Sequence, residues 1–341
     1  MWHANQQGHS RRTVLRAGAS VGTAAALGAG GVFGAGTASA TGKASAGRGR
    51  AGSPPYPSGV TDTSHCTPRA AAIFQGIFTA KSEHDTAAFM SYFSRSNACY
   101  LDASLGVPMY GWQAINSEFT QIFASAPASA ISYPLTVVGD TSSAAIEFVD
   151  SPAFFGQEIR ALSSVTFDSD QKIIRWVDYW DGRGSLIPNV IGSTYPADFR
   201  DSAQNADRAV VRTAQALQAA FAAGDAAAAV ALMSTDVVHE DMAAHTRVRG
   251  RIQAQRYYTR ALEQLPYGPG AALVHAEGGC QGGGYEWSAS PGAAPLRRGH
   301  TCIELDETGE ISRLLVTYDS SVLGYAAYES LVGSAAEAPL T

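Results

Sequence analysis

Cysteine is scarce in this chain of 341 residues: there are four, and no two stand as CxxC. That argues against a zinc ribbon or a dithiol redox centre. No GxSxG elbow marks a serine nucleophile. The glycine-rich run Gly278-Gly279-Cys280-Gln281-Gly282-Gly283-Gly284 has no Lys-Ser/Thr behind it. It therefore reads as a hairpin turn rather than a phosphate cradle. Beyond residue 40 no stretch reaches the roughly eighteen apolar residues that a membrane helix needs. No Asp or Glu precedes Asp62, and no run of Lys or Arg follows it.

What the N-terminus does contain reads as an address. Ser10-Arg11-Arg12-Thr13-Val14-Leu15-Arg16 resembles the twin-arginine export signal. A weakly apolar, Ala/Gly-rich stretch from Ala17 to Phe33 follows, and Ala38-Ser39-Ala40 offers a small-residue cleavage site. Residues 1–40 are expected to be a signal peptide and residues 41–62 a flexible leader. The formal charge of −6 becomes −9 once Arg11, Arg12 and Arg16 are removed. An acidic, exported protein without a basic patch argues against nucleic acid or an anionic membrane as partner.

The remainder contains itself twice. Cys99-Tyr100-Leu101-Asp102 lies over Val238-His239-Glu240-Asp241 at an offset of 139, and Gly111 over Gly250. Glu147–Pro152 lies over Glu286–Pro291 at the same offset, and Arg175–Asp181 over Arg313–Asp319 at 138. About 280 residues thus divide into two domains of about 135. They are expected at 63–195 and 203–335, with the boundary around Tyr195-Pro196-Ala197-Asp198. Pairing within copies would give disulfides Cys66–Cys99 and Cys280–Cys302.

Periodicity gives each copy the same order of elements. Ala70–Ala80 and Asp85–Phe93 read as helices, Asn97–Asp102 as a strand and Trp112–Phe123 as a helix. Strands follow at Ile131–Val138, Ala144–Val149, Glu158–Phe167 and Lys172–Tyr179. The second copy repeats this with helices at Ala209–Ala222, Ala226–Met233 and Ile252–Leu262. Its strands are Val237–Asp241, Ala272–Ala276, Tyr285–Ser288, Gly299–Glu304 and Ile311–Tyr318. Helices followed by a long antiparallel run imply an α+β fold, a curved sheet wrapped around helices.

Side-chain alternation on strands groups the candidate residues. Tyr100 and Asp102 share a face, as do Ile146, Phe148 and Asp150, and as do Trp176, Asp178 and Trp180. Each strand thus sets one carboxylate among aromatic side chains. An apolar pocket with a few convergent polar groups suits a small molecule. Burial and mutual repulsion would raise the proton affinity of such carboxylates, and coupled groups of this kind serve as acid and base. Other roles stay open: Asp102 could bond loop amides, Asp150 could cap the turn at Ser151-Pro152, and Tyr100 could be a satisfied core tyrosine. Asp181 and Asp319, at the ends of the last strands, read as solvated or capping residues. The second copy keeps Asp241 but has Ala289 and Val316 where the first has Asp150 and Asp178. Its lining is His239 and Asp241, Trp287 and Tyr318, with His239–Asp241 a possible acid–base pair.

The tyrosine and aspartate of the first strand, the following Gly111-Trp112-Gln113-Ala114-Ile115, and the closing Arg175-Trp176-Val177-Asp178-Tyr179-Trp180-Asp181 resemble the nuclear transport factor 2-like superfamily. That group includes the SnoaL-like polyketide cyclase, ketosteroid isomerase and limonene epoxide hydrolase families. The resemblance spans residues 65–335. It implies two tandem cone-shaped domains, each with helices packed in a curved sheet around a pocket. The two copies would form an intramolecular version of the family's dimer, so that the protein is a monomer. Limonene epoxide hydrolases use an Asp–Arg–Asp set with a Tyr and an Asn. By position Asp178 resembles the water-activating aspartate, Asp150 the second aspartate, Tyr100 the tyrosine and Asp102 the asparagine. Phe148 takes the arginine's place, so that set is incomplete. Polyketide-cyclase-like relatives work with an acidic residue in an apolar cavity.

The expectation is an exported acid–base enzyme needing no cofactor or metal, acting on an apolar small molecule such as a polyketide or terpenoid intermediate. The reaction would be cyclisation, isomerisation, dehydration or epoxide opening. Asp178 would be the base, Asp102 and Asp150 acid or orienting groups, and Tyr100 the donor to an oxyanion, while Trp176, Trp180, Phe148 and Ile146 shape the cavity. The alternative is a secreted carrier for a hydrophobic ligand.

Overall fold

The computed structural model describes residues 54–184, 195–199 and 205–336. The expected signal peptide, the leader up to residue 53 and most of the 190–205 boundary lie outside the described residues.

In the first copy, helix α1 (Pro68–Ser82) starts on a proline, with the Thr67 hydroxyl accepting from the Ala70 N–H. Both features favour a helix start. Its buried stripe is Ile73, Phe74, Ile77, Phe78 and Lys81, at helical spacing. α2 (Thr86–Met90) is capped by Asp85. Then come β1 (Cys99–Asp102), β2 (Val107–Tyr110), α3 (Trp112–Ser125), β3 (Ser132–Gly139), β4 (Ser143–Asp150), the single turn α4 (Pro152–Phe155), β5 (Ile159–Phe167) and β6 (Ile173–Trp180). The second copy has α5 (Arg208–Ala222), α6 (Ala226–Val230), β7 (Met233–Asp241), β8 (Thr246–Arg249), α7 (Arg251–Ala261), β9 (Ala272–Gly279), β10 (Gly282–Ser288), β11 (Arg298–Leu305), β12 (Ile311–Tyr318) and α8 (Tyr325–Gly333). Two six-stranded sheets result, ordered β2-β1-β6-β5-β4-β3 and β8-β7-β12-β11-β10-β9. β1–β6 and β7–β12 pair in parallel, and the other neighbours are antiparallel. This is the α+β arrangement expected, twice over.

The structure departs from the sequence reading in several details, of which three matter here. The four-residue strands β2 and β8 are too short to show a period, and they fold back as hairpin partners of β1 and β7. Asp62, at the end of the expected leader, and Cys66 just beyond it pair with the edge strand β3 through bridges Asp62↔Thr136 and Cys66↔Gly139. They cover an otherwise open edge, so the first domain reaches back into the segment assigned to the leader. The four thiols form no disulfide. Cys66 sits beside β3 and Cys99 on β1, four strands away across the sheet. That separation far exceeds the 7 Å reach of a disulfide. Cys302 is buried between the sheets, whereas Cys280 is exposed in the β9–β10 turn.

The faces turned away from the helices pack against each other. Val138, Ala145, Leu162, Met242, Cys302 and Leu315 form the apolar part of this contact. Its ion pairs follow the sequence repeat. Glu147 corresponds to Glu286, Arg175 to Arg313 and Arg160 to Arg298. Glu286 lies 2.5 Å from Arg175 of the other copy and 3.6 Å from Arg298 of its own. Glu147 lies 3.2 Å from Arg313 of the other copy and 2.5 Å from Arg160 of its own. The two halves also exchange caps: Asp181 accepts the Ser320 N–H at 2.8 Å, and Asp319 the Gly182 N–H at 3.0 Å. Such reciprocity is the signature of an isologous, two-fold interface, here within one chain. Asp181 and Asp319 are therefore caps, and each serves its own copy, through the Arg183 and Ser321 N–H groups, as well as the opposite one.

Candidate functional site

The inward faces of the first sheet, with α1, α3 and α4, line a cavity of about 60 Å³. Tyr100, Asp102, Phe148, Asp150, Asp178 and Trp180 line it, as alternation predicts. Ile146 and Trp176 share those faces but lie deeper in the core. Leu105, Met109, Phe119, Ile122 and Phe155 complete an apolar wall, with the half-buried Glu118 among them.

Asp178 stands mid-strand on β6 and accepts three side-chain hydrogen bonds. Ser163 and the Trp176 indole N–H donate to Oδ1, each at 2.5 Å, and the Tyr100 hydroxyl donates to Oδ2. Burial raises its carboxyl above the ordinary value, while these donors and the nearby Lys81 charge pull the other way. Asp102 is its register neighbour on the parallel strand β1. It accepts the Leu105 N–H at 2.9 Å and the Trp180 indole N–H at 3.1 Å. Burial first, and then the Asp178 charge, push its carboxyl up to about 7. Burial beside these carboxylates likewise raises the Tyr100 phenol well above its usual value. Tyr100 thus spends its proton on Asp178, and the expected donation to a substrate oxygen is not available from it in this arrangement.

Asp150 does not cap the turn after it. It faces the Lys81 ammonium at 2.7 Å, each side chain about nine-tenths buried. Lys81 Nζ also lies 4.6 Å from the centre of the Phe148 ring and 5.9 Å from those of Phe78 and Phe154. The strand carries Phe148 and no cation here, and the helix α1 supplies one. Sequence reasoning missed Lys81. The signal was present: a lysine on the apolar stripe of an amphipathic helix is almost never buried unless paired.

The second copy has the same scaffold without this chemistry. Asp85 and Asp225 cap α2 and α6 in the same way, so the helices align at an offset of 140 and Lys81 corresponds to Phe221. Ala289 and Val316 replace Asp150 and Asp178. Phe221 packs on Tyr258 and Tyr267, and Tyr267 on Trp287 and Tyr318, which makes this interior an aromatic core. Asp241 survives and bonds the Ala244 N–H at 2.8 Å, as Asp102 bonds Leu105. This pair of turns is what the retained aspartate builds. His239 and Asp241 do not form a pair. Residues two apart on a strand are separated by about 6.6 Å. Both ring nitrogens of His239 lack a hydrogen-bond partner, and burial lowers its imidazole to about 3. Among the described residues, no cluster of three His, Cys, Asp or Glu side chains could hold a metal ion, and no helix is long and apolar enough to cross a membrane.

No family model and no curated protein matches the sequence. Solved structures do match, one domain at a time. A SnoaL-like protein of unknown function from Burkholderia thailandensis aligns at 14% identity and a TM-score of 0.30, over 34% of this chain and 98% of its own. A putative SnoaL-like polyketide cyclase from Shewanella denitrificans aligns at 17% identity and a TM-score of 0.29, over 34% and 93%. A putative polyketide cyclase from Sinorhizobium meliloti aligns at 26% identity and a TM-score of 0.27, over 31% and 93%. The likeness is to SnoaL-like and polyketide-cyclase-like folds, each covering about a third of this chain.

Proposed function

We propose that the first cavity is the active site of an acid–base enzyme acting on a small, largely apolar molecule with an oxygen function, such as a polyketide or terpenoid intermediate. Asp178, held by three donors, takes the substrate proton. Asp102, balanced near neutrality, is the partner that holds or returns one. The observation that carries this reading is internal to the chain. Lys81, Asp150 and Asp178 are lost together in the second copy, while Asp102, whose counterpart bonds a turn amide there as well, is kept. The scaffold needs the aspartate of the turn but not the other three. Export of the folded protein through the twin-arginine route is part of the proposal, and the motif at residues 10–16 supports it.

The test is proton exchange. Cyclic ketones incubated with the mature protein in D₂O should gain deuterium at the α-carbon, read by mass spectrometry. Asp178→Asn should cut the rate by about 10²-fold or more and leave the unfolding midpoint near that of the wild type. A carrier would bind the ketones without exchange, and equal exchange by the variant would remove Asp178 from its role.

A further inference from the structure

The hydrogen-bond donors around the cavity are nearly all committed. Tyr100 gives its proton to Asp178, Trp180 gives its indole N–H to Asp102, and Ser163 and Trp176 give theirs to Asp178. Lys81 differs. Its ammonium lines the cavity with three N–H bonds and lies 2.7 Å from one carboxylate oxygen, Asp150 Oδ1. That contact takes up one of the three, and the surrounding Phe78, Phe148 and Phe154 rings offer only their π faces. The ammonium therefore keeps N–H bonds for a ligand. Glu118, Asp102, Asp150 and Asp178 share that wall, so negative charge is repelled elsewhere in the cavity and is favoured only on an oxygen set against Lys81.

We propose that Lys81 is a catalytic residue that binds the carbonyl oxygen of a neutral, enolisable ketone or 1,3-dicarbonyl compound and holds the enolate charge as it forms. This rests on the acid–base reading and names its substrate class. The α C–H bond breaks and its proton passes to the Asp178 carboxylate. The C–H electron pair becomes the C=C of the enolate, and the carbonyl π pair moves onto the oxygen facing Lys81. Return of the proton to another carbon completes an isomerisation. Attack of the enolate carbon on a second carbonyl of the same molecule, with the proton delivered to the new alkoxide, completes a ring closure. A fixed charge in a water-poor cavity acts most strongly on charge that develops only during the reaction.

Two probes of matched shape test this. 4-Nitrophenol ionises to an enolate-like oxyanion that is read by its absorbance, and 4-nitroanisole cannot ionise. The wild-type mature protein should bind both and favour the ionised phenol. Lys81→Met combined with Asp150→Asn removes the ammonium with its counter-ion, so no buried charge is orphaned. That variant should bind 4-nitroanisole as before and lose about ten- to a hundredfold in phenolate affinity, and Lys81→Arg should restore part of it. Phenolate preference that survives in the double variant, or that disappears in Asp102→Asn instead, would overturn the role of the lysine while deuterium exchange still reports on Asp178. Failure of the wild-type protein to bind either probe would overturn both readings.

Discussion

The Lys81–Asp150 pair makes a quantitative prediction about stability. At 2.7 Å, with both side chains about nine-tenths buried, the gross attraction is on the order of 6 kcal/mol at an effective dielectric constant of about 20. Desolvation of both ions offsets much of it, so the pair adds little net stability, but each ion depends on the other. Asp150→Leu leaves an ammonium among phenyl rings and should cost about 3–5 kcal/mol; Lys81→Met leaves a buried carboxylate and should cost a similar amount. The double variant, Lys81→Met with Asp150→Leu, should lie within about 1 kcal/mol of the wild type or above it, because apolar side chains of similar volume replace the ions. The coupling in this double-mutant cycle should then exceed about 3 kcal/mol. Urea unfolding at pH 7, followed by the fluorescence of Trp176 and Trp180, measures it. Additive effects of less than about 1 kcal/mol each would refute the reasoning, since they would mean that the ammonium is solvated and not held in the cavity.

Two further outcomes follow from the same physics. Asp102 and Asp241 are raised to about 7 and Asp181 to about 6, so between pH 8 and 6.5 the folded chain takes up protons that the unfolded chain does not. Stability should rise as pH falls through that window and then rise less steeply, because His239 and His275, lowered to about 3, resist the protonation that unfolding permits below about 6.5 and offset part of the gain; melting curves of wild type and Asp102→Asn, the variant showing a shallower rise, check the sign. At the inter-domain contact, Glu286→Gln should cost about 3–5 kcal/mol, because Arg175 is almost wholly buried. Glu147→Gln should cost clearly less, because Arg313 and Arg160 are partly exposed and keep Glu304 and Glu240; equal losses in urea titrations would contradict that ranking.

Much of this molecule was legible before its structure. The offsets of 138 and 139 exposed the two domains, and their interface uses the same aligned residues, Glu147 with Arg313 and Glu286 with Arg175. Period-two alternation placed Tyr100, Asp102, Phe148, Asp150, Asp178 and Trp180 on one inner surface, because a strand leaves a side chain only two faces to choose from. Alternation says which side a residue faces, but not what it meets there. That Asp102 bonds the Leu105 amide, that Tyr100 spends its proton on Asp178, and that the second interior is filled by Phe221, Tyr258 and Tyr267 depend on residues remote in sequence.

Lys81 shows the division most clearly. The helical stripe of Ile73, Phe74, Ile77, Phe78 and Lys81 marks it as inward-facing, since 3.6 residues per turn fixes the azimuth of each side chain. Its partner Asp150 lies at the far end of another element, and only the packing of α1 into the sheet brings the two charges to 2.7 Å. By itself the sequence determined the elements, their repetition and the face of each side chain, because these follow from local backbone geometry. Only the tertiary structure decided which inward-facing groups touch, and so which carboxylates are paired, capped or left able to move a proton. Those contacts are made between elements, and their energies depend on burial that no local pattern records.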